Sequence, residues 1–141
     1  MEMPFRSVQR VYFDDLDALN ILHNVRYLLF MERARGEFLQ ALGFNWKDSL
    51  DVNPDKHHVI AAHDVQYLAP VRGEVQLNVE LAPVHLGRTS LVLEAAVKAF
   101  HGQVEHCRCT TRLVRLDPDT GKPCPWSPRM REAIEPLLPS V

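Results

Sequence analysis

The sequence predicts an α+β fold, an antiparallel sheet of about five strands wrapped around one long central helix. Residues 24–42 carry apolar side chains at helical spacing, with Tyr27, Met31, Ala34, Phe38 and Leu42 on one face. From residue 58 onward the pattern changes to β-type segments separated by turn formers. The turns between the last segments are short, which makes those neighbours antiparallel. One curved sheet closed over one buried helix is the simplest way to hide both apolar faces. With 141 residues, residues 1–141 form one domain.

The elements follow in order. Residues 5–14 (FRSVQRVYFD) mix β-branched and aromatic residues with polar ones and read as the first strand. An acidic loop over 15–23 leads to the helix, where Asn24 is suited to the N-cap and Gly43 to the position after the last turn. Leu28, Leu29 and Phe30 make its first half apolar nearly all round, so it is buried on more than one side. Residues 45–57 are a polar connection with room for a short helical turn. Residues 58–68 form a strand closed by Pro70 and Gly73. Val75, Leu77, Val79 and Leu81 alternate with Gln76, Asn78 and Glu80, the signature of a half-buried strand. A turn at Gly87–Ser90, a strand over 91–100, a turn at His101-Gly102 and a strand over 103–116 follow. The segment DPDTGKPCP (117–125) is rich in turn formers, and 128–138 forms a short helix or an extended tail.

Composition excludes several classes. Apolar residues make up 46% of the chain and charged residues 24%, against intrinsic disorder. The 16 basic and 18 acidic residues leave a net charge of -2, which argues against a nucleic-acid partner. MEMPFRSVQR has no apolar core of a signal peptide, and no stretch approaches a membrane span. Three cysteines, Cys107, Cys109 and Cys124, fit a reduced, cytoplasmic protein. His101, His106, Cys107 and Cys109 do not have the paired spacing of a structural zinc site, so no metal is expected.

The segment YFDDLDALNILHNVRYLLFMERAR (12–35) runs from a strand through an acidic loop into a helix N-terminus. Unpaired N–H groups at such a terminus can polarise a carbonyl and hold its oxyanion, and a neighbouring carboxylate can attack it or activate water. On spacing alone, Asp17 is equally an acid placed to complement the helix dipole.

These residues resemble the signature of hot-dog-fold acyl-CoA thioesterases of the 4-hydroxybenzoyl-CoA thioesterase type. The likeness rests on Asp17, Asn20, the run Ile21-Leu22-His23-Asn24, Tyr27 and Glu32-Arg33-Ala34-Arg35. HDVQYLAPVRGEV (63–75), GRTS (87–90) and GKPCPWSPRMR (121–131) extend it over nearly the whole chain. Asn20 stands where the family has Gly, and Ile21 where it has His. Asn tolerates positive φ, so the turn is preserved.

The resemblance implies hydrolysis of an acyl-CoA thioester to the free acid and coenzyme A. Asp17 would be general base or nucleophile, the N–H near Asn24 the oxyanion donor, and His23 an orienting or substrate-bonding group. Tyr27, His63, Arg72, Arg88, Thr89 and Ser90 are the implied contacts to substrate and coenzyme A, with Arg112 a further candidate at the rim. Asp15, Glu32 and Glu37 are the rival carboxylates. No separate cofactor is implied, since coenzyme A is part of the substrate; an acyl carrier protein is the other possible carrier. The family's site lies between subunits, which implies a homodimer at minimum and a homotetramer as a dimer of dimers. A non-catalytic acyl-thioester binding module and a hot-dog enoyl hydratase or dehydratase are the alternative functions.

Overall fold

The computed structural model describes residues 1–140. Five strands form one antiparallel sheet: β1 (Phe5–Arg10), β2 (His58–Tyr67), β3 (Gln76–Leu86), β4 (Ser90–Ala99) and β5 (Glu105–Arg115). Their order across the sheet is β1-β3-β4-β5-β2, so β3, β4 and β5 make the expected meander while β1 and β2 lie at opposite edges. The first strand ends at Arg10, short of the expected residue 14, because Phe13–Asp15 turn into a single 3₁₀ turn. The alternation that begins near Val75 continues to Leu86, five residues past the stretch with the strongest pattern.

Helix α1 spans Arg26–Ala41, a little shorter than the predicted 24–42. Tyr27, Phe30, Met31, Ala34 and Phe38 are buried against Leu77, Val79, Leu91, Leu93, Val97 and Leu113 from the sheet. Each fully buried large side chain here contributes about 1.5–3 kcal/mol relative to exposure. The backbone of α1 packs on β1 and β3, so the helix sits over that half of the sheet, and β2 is mostly exposed. Gly43 follows with φ +92°, as a helix-ending glycine should.

A second helix, α2 (Pro128–Ile134), closes the far end. Ser127 caps it, its hydroxyl accepting from the Met130 N–H at 3.2 Å. Asp55, buried in a 3₁₀ turn at Pro54–Lys56, accepts from the Ser127 N–H at 2.8 Å and from the Ser127 hydroxyl. This pair ties the polar connection to the C-terminal helix. Among the described residues no helix is long and apolar enough to cross a membrane.

Candidate active site

The acidic loop is built by clamps that separate its three aspartates. Asp15 is buried. Its carboxylate accepts from the Tyr12 N–H at 2.8 Å and lies 3.7 Å from Arg26 Nε, and its carbonyl accepts from the His23 N–H at 2.9 Å. Asp15, a solvated loop acid and rival catalyst by sequence, is therefore committed to holding the loop against the helix start.

Asp17 faces outward. Its Oδ1 accepts from the Leu19 N–H at 2.8 Å and the Ile21 N–H at 3.2 Å, while its own N–H donates to the Ile21 carbonyl at 2.8 Å. Two donors on one oxygen fix the carboxylate and direct the other oxygen outward. Asn20 has φ +61°, the left-handed conformation that its side chain tolerates. The tip then docks on the connection after β2: Leu22 N–H donates to the Val71 carbonyl at 2.9 Å, Gly73 N–H to the Asn20 carbonyl at 3.0 Å, and Ile21 bridges to Arg72. Arg72 is thereby brought to the Asp17 loop.

The helix start differs from expectation in one respect. The N-cap is Val25, not Asn24, and no side chain caps the terminus. His23 Nδ1 accepts from the Val25 N–H at 3.4 Å, and the Asn24 carbonyl accepts from the Tyr67 hydroxyl at 2.9 Å. Among the described residues no hydrogen bond is donated by the Asn24 N–H. Asn24 therefore does not supply the side-chain cap expected of it. Beside it, Leu16, His23, Val25, Arg26 and Leu29 line an open cavity of about 270 Å³.

Tyr27 is in the core. Its ring meets that of Tyr67 edge-on with centroids 5.3 Å apart, and burial pushes its phenol above the ordinary range. His63 lies on β2, bonded through Nδ1 to the Thr111 hydroxyl at 2.8 Å. Burial, then the charge of Arg35, lowers its pKa. Arg88, Thr89 and Ser90 form the β3–β4 turn at the opposite end of the sheet from the Asp17 loop, since Arg10 pairs with Gln76 and Leu86 with Leu91. Within one chain these three do not join Asp17, Asn24 and His23. Arg112 points from β5 to the face opposite the helix, beside Val92 and Ala62.

The cysteines offer no nucleophile. Burial pushes the Cys107 thiol up to about 12 and raises that of Cys109. Among the described residues no group of three or more His, Cys, Asp or Glu is placed to hold a metal ion. Sequence reasoning named Arg35 as part of the 32–35 motif but missed that its side chain is only 12% exposed, with its charge lowering the pKa of His58 and His63 after burial. Its only signal was its place on the apolar side of α1 among polar neighbours.

A family model of the thioesterase-like superfamily matches residues 11–134. The chain belongs to that superfamily. Among solved structures, a Thermus thermophilus thioesterase complexed with coenzyme A and Zn is 32% identical, covers 96% of this chain and 94% of its own, and superposes with a TM-score of 0.79. The acyl-CoA thioesterase YbgC of Haemophilus influenzae is 24% identical over 91% of this chain and 92% of its own length. The acyl-CoA thioester hydrolase YbgC of Escherichia coli O157:H7 is 32% identical over 62% of this chain and 64% of its own. The superfamily's hot-dog architecture accounts for the sheet order and the placement of α1.

Proposed function

We propose that this chain hydrolyses acyl-CoA thioesters to the free acid and coenzyme A, with Asp17 as the catalytic carboxylate. The observation that carries the reading is the outward-facing Asp17, held by two backbone donors on a loop docked beside an uncapped helix terminus. Superfamily membership and acyl-CoA thioesterase relatives support the reaction class.

The thioester carbonyl oxygen would sit at the Asn24 N–H, where the dipole of α1 favours negative charge. Asp17 then either attacks the carbonyl carbon, giving an acyl anhydride that water opens, or takes a proton from the attacking water. In both routes the carbon–sulfur bond breaks and the coenzyme A thiolate leaves and is protonated. His23, whose Nδ1 is engaged by the Val25 N–H, would orient the substrate. Arg72 would meet a coenzyme A phosphate. An acyl carrier protein is the alternative carrier.

The proposal includes a homodimer through β2, with a tetramer as a pair of such dimers. β2 is a ten-residue edge strand, mostly exposed, carrying Val59, Ile60 and Tyr67 toward solvent. Leu19, Val25 and Leu68, each more than half exposed, lie around the Asp17 loop and would be covered with it. Two-fold pairing would also let Arg88, Thr89 and Ser90 of one subunit serve a site on the other.

The test is thiol release from a panel of acyl-CoAs by wild type and Asp17→Asn. Loss of the reactive carboxylate should lower kcat by about 10²-fold or more, with an unchanged circular dichroism spectrum. A folded variant with full activity removes Asp17 from the mechanism. Acyl-CoA binding without turnover in wild type would indicate a binding module, and hydration of an enoyl-CoA a hydratase.

A further inference from the structure

A second cavity, of about 350 Å³, opens between the C-terminal half of α1 and residues 44–58. Phe44 and Trp46 give it aromatic walls, and Leu39 and Met130 an aliphatic floor. Arg35 lies in the same lining. Its side chain is 12% exposed, and its ion-pair partner is Glu32, 4.0 Å away and itself 67% exposed. Among the described residues no hydrogen bond holds this guanidinium. A guanidinium carries five N–H donors, so Arg35 has donors to spare for a ligand.

The other charges of the cavity are committed. The Lys56 ammonium donates to the Trp46 carbonyl at 3.2 Å and to the Asp48 carbonyl. The Asp55 carboxylate is taken by Ser127 and lies 3.9 Å from Arg115. Glu32, also in the lining, is the exposed partner of Arg35, and His58 is held below the usual imidazole range by burial first, with Arg35 adding to it, so it is neutral at pH 7. Aromatic and aliphatic walls beside a guanidinium held only by a 4.0 Å ion pair to the exposed Glu32 have the chemistry of a site for an apolar body ending in an anionic oxygen.

Topology places this slot relative to the chemistry. The Tyr67 end of β2 holds the helix start through the Asn24 carbonyl, and the His58 end borders the cavity. Antiparallel pairing of β2 with its copy sets the His58 end of one subunit beside the Tyr67 end of the other. A group leaving the Asp17 loop away from the thioester would then run into the partner's slot. We propose that this slot receives the acyl part of the substrate and that Arg35 makes the enzyme selective for acyl groups ending in a carboxylate. The inference deepens the thioesterase reading and rests on it.

The kinetic test compares adipoyl-CoA with hexanoyl-CoA, and 4-carboxybenzoyl-CoA with benzoyl-CoA. In wild type, kcat/KM should favour the carboxylate member of at least one pair by about tenfold or more. The two pairs separate an aliphatic from an aromatic body. In Arg35→Gln the ratio should fall toward one. Turnover of both members of each pair without preference in wild type overturns the proposal and leaves the thioesterase reading intact. That arm needs no variant, so a poorly folding Arg35→Gln does not spoil it. Binding of methyl adipate and methyl hexanoate is measured by calorimetry in parallel, where no turnover is required. Tighter binding of methyl adipate, lost in Arg35→Gln, supports the slot even if no thioester is hydrolysed; equal or absent binding with no turnover overturns it.

Discussion

Two aspartates two residues apart, Asp15 and Asp17, face opposite ways because the 3₁₀ turn at Phe13–Asp15 sends one inward and leaves the other outward. Nothing in the string DDLD separates them; the choice depends on Arg26, eleven residues beyond Asp15, and on the Tyr12 N–H. The protonation of His58 depends in the same way on distant neighbours. Its ring is half-buried and bonded to the Asp55 carbonyl at 2.7 Å, and its pKa is lowered by burial and then by Arg35 and His57, against the raising effects of Asp55. The folded chain keeps this imidazole neutral, while the unfolded chain takes a proton near the ordinary His value of about 6.5. Stability from this group is therefore complete above that pH and declines as pH falls below it. The urea midpoint should drop between pH 7.5 and 5.5, and a folded His58→Asn variant should show a smaller drop. At Asn20 the sequence was more legible: a left-handed turn accepts few residue types, and Asn is one of them.

Elements were readable wherever their period was sustained. The apolar face of α1 and the alternation of β3 follow from side-chain geometry, which tertiary contacts only reinforce. Ends were less readable. Asn24 has the chemistry of an N-cap, yet the Tyr67 hydroxyl, 43 residues away, holds its carbonyl and Val25 takes the cap position. At the C-terminal end, 128–138 read as a short helix or an extended tail, and the structure settles it with α2, capped by Ser127 ahead of Pro128. Because that hydroxyl also donates to Asp55, Ser127→Ala should cost about 1–2 kcal/mol. Chemical denaturation measures this, and a loss of a few tenths would mean that water replaces both bonds.

For the whole molecule, the strand order decides which sequence motifs can meet. GRTS and the Asp17 loop both match the family pattern, but the register puts them at opposite ends of the sheet. Only pairing of subunits could bring them to one substrate, and no single-chain pattern encodes that. The proposed pairing through β2 makes a direct prediction. Ala62 lies mid-strand on the exposed edge, so Ala62→Lys would set two like charges close together across the two-fold axis. Light scattering should show a smaller species than wild type, and thiol release should fall with it. An unchanged oligomer with unchanged activity would place the interface elsewhere. The strand order also constrains how the chain reaches its native state. β2 is synthesised early, yet its ladder partner β5 comes last, with paired residues forty or more positions apart. During synthesis this strand has no neighbour until the meander is nearly complete, so the edge proposed to join two subunits is also the last to be seated. Assembly through this edge must therefore wait for β5, and in that interval the unpaired strand is open to wrong mates.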